Sequence, residues 1–245
     1  MSLVTVITAT TGSKYLSQCI KSVRDQDYDQ IQHLIFADGF EHANKVKEII
    51  DNIPIREGYS IDVIYLPYSV GSDRYNGHRM YGAGFYFCKG DFVCFLDDDN
   101  WFDSDHISSM VSNLDVDSWS YSLRKIVDAD GNFVCNDDCE SLGEYPSILS
   151  DQDYFVDQNC YMFPKMLGLQ LTPLFYRRFR EPNEMELDRL LVQTMRHHKV
   201  KSYCNNKYSV NYRAGNTINS VQANFFTQGN AAMLQRYNNK LPWKE

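Results

Sequence analysis

Four short runs of apolar and β-branched residues alternate with three helical stripes over the first hundred residues. This rhythm narrows the possible folds more than any other feature of the chain. "LVTVITAT" (Leu3 to Thr10) reads as a buried strand, because it lacks polar alternation and ends at the breaker "TGS". In "KYLSQCIKSVRDQ", Leu16, Cys19, Ile20 and Val23 fall at i, i+3, i+4 and i+7, on one face of a helix. "QHLIFADGF" (Gln32 to Phe40), "IDVIYLP" (Ile61 to Pro67) and "DFVCFL" give three more strands. The helices between them are "ANKVKEIIDNI" and "NGHRMYGAGFYFCKG", the second weakened by its glycines. Such alternation implies an α/β fold with an open, mostly parallel sheet flanked by helices.

After Trp101 the rhythm changes. "SWSYSLRKIVDADGNFV" reads as two strands around Asp130-Gly131, a hairpin signal. "EPNEMELDRLLVQTMRHHKV" reads as a helix with Met185, Leu187, Leu190, Leu191 and Met195 roughly on one side, and "VQANFFTQGNAAMLQRYNNKLPW" as a last helix with an aromatic end. No repeat, low-complexity tract or Pro/Gly-rich linker divides the chain. The expectation is one domain over 1–245, with a nucleotide-binding half (1–101) and an elaborated half (102–245).

Composition bounds the partners. At 245 residues, 43% hydrophobic and 14% aromatic, the chain can bury a substantial core. Its formal net charge of −8 makes it a poor general binder of nucleic acid, which needs a basic footprint. "MSLVTVITAT" has neither a basic start nor a long apolar run, and no stretch approaches the ~20 apolar residues of a membrane span. Seven cysteines without a CxxC pair fit reduced thiols. These features imply a cytoplasmic protein with no integral membrane segment. Cys135 and Cys139 in "CNDDC" are two ligands without a second pair, so loop thiols are the better reading than zinc.

Ligands of open α/β sheets sit at the carboxyl ends of the strands. Here those ends present Thr8, Ala9 and Thr10, then Asp38, then "YSVGSDRYNGHR" with Arg74, Asn76 and Arg79, and finally Asp97, Asp98 and Asp99. Three adjacent carboxylates repel, and desolvation worsens the repulsion. Mg²⁺ or Mn²⁺ would supply the missing positive charge and could in turn hold a diphosphate. Asp38 can accept a ring N–H of uracil, thymine or guanine. The plainer alternatives are helix capping for the aspartate triplet and a turn before Gly39 for Asp38. "DADGN" (Asp128 to Asn132) is a hairpin turn, since Phe133 and Cys139 stand where a calcium loop needs Gly and Glu.

"VTVITATTGSKYLSQCIKSVRDQDY", "IFADG" and "YGAGFYFCKGDFVCFLDDDNW", in that order, resemble the inverting glycosyltransferases of family 2, which have the GT-A fold. The resemblance covers roughly the first half of the chain. It implies a nucleoside-diphosphate sugar as donor, most readily uridine-linked, and a saccharide or other hydroxyl as acceptor. By the same resemblance Asp97 faces the ribose and metal, Asp99 ligates the metal directly and Asp38 contacts the base. Arg79 and Asn76 are displaced from the family's Arg-Asn pair. The family's general base is an Asp opening a late helix, often in a Glu-Asp pair. That pair is absent here, and Asp188 in "LDR" is the nearest match, with Glu186 second. First-turn acids that only complement the helix dipole are the plain alternative. Trp101 is the best-placed aromatic to stack on a sugar face, with a plain core aromatic as the equal alternative, and Asn159 in "DQNCYMF" is a candidate to bond acceptor or donor hydroxyls. His106, His197 and His198 are minor candidates as extra metal ligands. Two rival activities share these features: a nucleotidyltransferase that makes a sugar nucleotide, and a non-catalytic nucleotide- or sugar-binding module.

Overall fold

A computed structural model of the protein describes residues 1–72, 75–112, 114–177, 185–217 and 220–244. The expected alternation is present. β1 (Val4–Thr10), α1 (Leu16–Arg24), β2 (Ile31–Ala37), α2 (Ala43–Asp51), β3 (Tyr59–Tyr65), α3 (His78–Phe87) and β4 (Phe92–Phe95) follow in order. β1 pairs in parallel with β2 and β4, and β2 with β3. The stripe of α1 is buried as its spacing requires, with Leu16, Cys19, Ile20 and Val23 all in the core.

The second half continues the same sheet. After β5 (Trp101–Phe102) and α4 (His106–Val111) come the hairpin strands β6 (Ser118–Val127) and β7 (Phe133–Asn136). Next are β8 (Tyr161–Pro164), α5 (Lys165–Phe175), α6 (Leu187–His197), β9 (Lys201–Arg213) and α7 (Ala223–Arg236). The strand order is β3-β2-β1-β4-β8-β6-β9-β5, with β7 on β6. The sheet is parallel through its first four strands and mixed beyond them, because β8 runs antiparallel to both β4 and β6. β8 thereby carries the sheet across the boundary expected near residue 101.

The glycines of α3 have a packing reason. A Cβ on Gly84 would lie 2.5 Å from Cδ1 of Ile7 on β1. The helix therefore trades propensity for close approach to the sheet. Phe85, Phe95, Phe163 and Phe175 meet at this junction of α3, β4, β8 and α5, with Phe95–Phe163 centroids 6.2 Å apart. A smaller cluster, including Leu123, Phe226, Met233 and Trp243, seats α7 on the far side of β6. Among the described residues, no helix is long and apolar enough to cross a membrane.

Candidate active site

The carboxyl ends of β1, β2 and β4 open into a cavity of about 720 Å³, lined by Ala9, Thr10, Asp38, Asn76 and all three of Asp97, Asp98 and Asp99. The loop after β3, the start of α3, Gln158 and the segment after β9 complete its wall. Asp97 is held from three sides. The Tyr81 hydroxyl donates to its Oδ1 at 2.5 Å, Gln158 Nε2 to the same oxygen at 3.1 Å, and Asn159 Nδ2 to Oδ2 at 2.9 Å. Burial pushes the Asp97 carboxyl up, and the Tyr81 hydrogen bond offsets part of that.

Asp98 accepts from Thr10 Oγ1 at 2.5 Å, and that hydroxyl also accepts the Gly12 N–H at 2.8 Å. Asp99 Oδ2 accepts from Asn216 Nδ2 at 2.5 Å, which brings the loop after β9 onto the cluster. Burial raises Asp98 to about 6. Burial first, then the charges of Asp97 and Asp98, raise Asp99 to about 7. The triplet is thus a site short of positive charge, and it does not cap α4, whose flanking residue is Asp105. Arg213 supports it from behind. Its Nε donates to the Asp99 carbonyl at 3.0 Å, and its guanidinium lies 4.0 Å from the Tyr15 ring centre and 5.0 Å from that of Trp101.

Asp38 does more than turn the chain. Its carboxylate accepts from Ser69 Oγ (2.9 Å), Val70 N (2.7 Å) and Gly71 N (3.0 Å), fixing the loop after β3. Gly71 is needed for this approach, since a Cβ there would lie 2.4 Å from the Asn76 carbonyl oxygen. About four acceptor positions exist on a carboxylate, so Asp38, which lines the cavity, retains one.

Asp188 lies in the first turn of α6, half-buried and outside the lining of the cavity, and its Oδ1 is closed off without a hydrogen-bond partner among the described residues. Burial, then the charges of Asp157, Asp97 and Glu186, hold its carboxyl well above the ordinary range. Glu186 instead faces solvent and pairs with Arg189 at 2.8 Å.

Other expected residues sit elsewhere. The Thr8 hydroxyl points beneath the cavity floor, bonded to His33 Nε2 at 2.9 Å and donating to the Leu96 carbonyl at 2.8 Å. Trp101 does not line the cavity; it is part of the Arg213 stack. Asn159 is fully buried and acts on Asp97 rather than on the cavity. Arg79 lies outside the lining, its guanidinium 3.3 Å over the Tyr75 ring centre. Arg74 lies outside the described residues. His106 is buried away from the acids, stacked on Phe102 with centroids 3.9 Å apart and bonded to Ser209 Oγ at 2.8 Å. His197 and His198 are exposed at the far end of α6. Among the described residues, no three His, Cys, Asp or Glu side chains enclose a cation by themselves.

Sequence reasoning missed Tyr81, Gln158 and Asn216, which meet the aspartates only in the folded chain.

The profile of "Glycosyl transferase family 2" matches residues 4–134. No curated protein sequence matches the chain. Among solved structures, S. aureus TarS 1-349 superposes with a TM-score of 0.60 at 16% identity, covering 96% of this chain and 71% of that one. Its complex with UDP gives 0.60 at 14% identity, over 98% and 72% of the two chains. Its complex with UDP-GlcNAc gives 0.57 at 14%, over 87% and 58%.

Proposed function

The chain belongs to glycosyl transferase family 2, and from that membership we propose an inverting transfer of sugar from a uridine-diphosphate sugar to an acceptor hydroxyl, assisted by Mg²⁺ or Mn²⁺ at Asp97 and Asp99. The observation that carries the reading is the convergence of Asp97, Asp98, Asp99 and Asp38 on one cavity at the strand ends. The UDP and UDP-GlcNAc complexes of TarS favour a uridine-linked donor.

The donor set fits a hard divalent cation. Mg²⁺ is commonly held by one or two carboxylates together with substrate phosphates, without a closed protein cage. Asp99, raised to about 7 by burial and then by the charges of Asp97 and Asp98, is a residue such an ion would relieve. When bound, the ion neutralises charge on the departing diphosphate. The protein's own groups do the rest. Asp38 accepts the uracil N–H, and Tyr81, Gln158 and Asn159 hold Asp97 in one orientation. Asp188, in the first turn of α6, takes the proton of the acceptor hydroxyl. The acceptor oxygen then bonds the anomeric carbon, the bond from that carbon to the diphosphate breaks, and UDP leaves.

Incubation with UDP-GlcNAc, with and without Mn²⁺, tests this. Slow release of UDP that requires Mn²⁺ is expected. Pyrophosphate from UTP and a sugar 1-phosphate would indicate a nucleotidyltransferase, and nucleotide binding with neither reaction would indicate a binding module.

Asp38→Ala is expected to weaken UDP binding by ~1–3 kcal/mol, the cost of a hydrogen bond to a charged group. The ratio of UDP to CDP affinity in the wild type isolates the base contact, because the loop is then intact and CDP lacks the ring N–H. Equal affinities would reduce Asp38 to a loop anchor.

A further inference from the structure

Arg124, on β6, is 1% exposed and has a carboxylate on each nitrogen of its guanidinium. Nε donates to Asp137 Oδ2 at 2.8 Å, Nη2 to Glu140 Oε2 at 2.7 Å, and Nη1 to Asp157 Oδ2. A buried cation needs its charge offset, and one well-placed carboxylate already does that. Here two of the three carboxylates use their second oxygen to reach further.

Asp157 Oδ1 accepts from the Asn159 backbone N–H at 2.9 Å and from its Nδ2 at 2.7 Å. The Asn159 amide then brackets Asp97. Nδ2 donates to the Asp97 carboxylate at 2.9 Å, and Oδ1 accepts the Asp97 backbone N–H at 2.6 Å. On the other arm, Glu140 Oε1 accepts from Arg189 Nη2 at 2.9 Å. Arg189 follows Asp188 in the first turn of α6 and is also held by Asp153 Oδ1 at 2.9 Å. One guanidinium therefore reaches the donor-side carboxylate in one direction and the helix turn bearing Asp188 in the other.

We propose that Arg124 is a positioning residue that sets the separation of Asp97 and Asp188, through Asp157 and Asn159 on one arm and Glu140 and Arg189 on the other. This deepens the sugar-transfer reading and rests on it. Inversion requires the base and the leaving diphosphate on opposite sides of the anomeric carbon, so their spacing limits the rate. Misplacement by about 1 Å can cost on the order of 10²-fold. A buried network with its hydrogen-bond capacity filled has one low-energy arrangement and holds such a distance better than solvated side chains.

Removal of Arg124 itself leaves Asp137 and Asp157 buried without a cation and Glu140 with Arg189 alone, which endangers folding, so the test cuts the arms singly. In Asp157→Asn one acceptor oxygen is replaced by a donor, and either Arg124 or Asn159 loses its partner. Glu140→Gln places an N–H₂ against one of two guanidinium groups. Calorimetry of UDP with Mn²⁺, and hydrolysis of UDP-GlcNAc by water, are measured for both variants beside their melting temperatures. Asp157→Asn is expected to raise the Kd for UDP about tenfold, and Glu140→Gln to lower kcat for hydrolysis about tenfold with Kd unchanged, the scale of one lost charge-assisted hydrogen bond. A lowered melting temperature with Kd and kcat intact in both variants would overturn the proposal. So would parallel losses of Kd and kcat in both, which mark a merely structural network. Absence of UDP binding by the wild type would instead sink the sugar-transfer reading. Crystal structures of the two variants then decide the positioning: Asp97 displaced in the first and the α6 turn in the second supports it, and both unmoved refutes it.

Discussion

Asp188→Asn is expected to lower turnover by ~10²–10⁴-fold, the usual contribution of general-base catalysis, with UDP affinity almost unchanged. Asparagine keeps the size of the side chain and can hydrogen-bond, but it cannot take the acceptor proton. The donor contacts are made by Asp38, Asp97 and Asp99 on other elements, so binding is spared. Folding is spared too, because burial disfavours the charged carboxylate that the substitution removes. Glu186→Gln should be much milder, since Glu186 faces solvent in its pair with Arg189 and exposed pairs contribute ~0–1 kcal/mol. Steady-state hydrolysis of UDP-GlcNAc and calorimetry of UDP on both variants check this. Normal turnover in Asp188→Asn with collapse in Glu186→Gln would move the base by two residues. Normal turnover in both would remove this helix from the chemistry.

Asp99→Ala is expected to make UDP binding independent of Mn²⁺ and to lower hydrolysis by roughly 10²–10³-fold, equivalent to a few kcal/mol of charge stabilisation lost. Binding that still responds fully to Mn²⁺ would exclude Asp99 as a ligand. The metal-free protein carries a second signature of the same carboxylates. Asp98 and Asp99 titrate near 6 and 7 in the folded chain, against 3.8 for the ordinary group. Between those values the folded state holds protons that the unfolded chain has released, so stability falls as pH rises. Their contribution is complete below the unfolded value and is lost as pH passes through the folded ones. The metal-free melting temperature should therefore decline from about pH 4 to about pH 7, and Asp99→Asn should flatten the decline. An unchanged slope in that variant would place the protons elsewhere.

The first half was legible because its information is local. Period-3.6 stripes and short β-branched runs lie within ten residues of one another, and β1, β2 and β4 are buried as their patterns require, while β3 at the sheet edge is mostly half-buried. The turn at Asp128 to Asn132 was equally plain, and Asp128 Oδ1 accepts two backbone N–H groups there, from Asp130 and Asn132, at 2.9 Å each. The second half was not. β8 has four residues and α5 follows it without a break, so neither period has room to show. β9 mixes exposed and buried positions irregularly, because its register against β6 shifts twice. Strand-end logic placed Asp38, Thr10 and Asp97 to Asp99 at one cavity, since a parallel sheet forces its carboxyl ends together.

What holds those carboxylates could come only from the tertiary fold. Asn216 reaches Asp99 across 117 positions, Asn159 reaches Asp97 across 62 and Arg124 reaches Asp157 across 33. Hydrogen bonds between distant side chains leave no period in a sequence, because they are fixed by how strands and helices pack rather than by the propensities of the residues that make them. The sequence by itself determined the alternating first half and the acids at its strand ends. Tertiary packing alone decided which residues hold those acids: Tyr81, Gln158 and Asn159 on Asp97, Thr10 on Asp98 and Asn216 on Asp99.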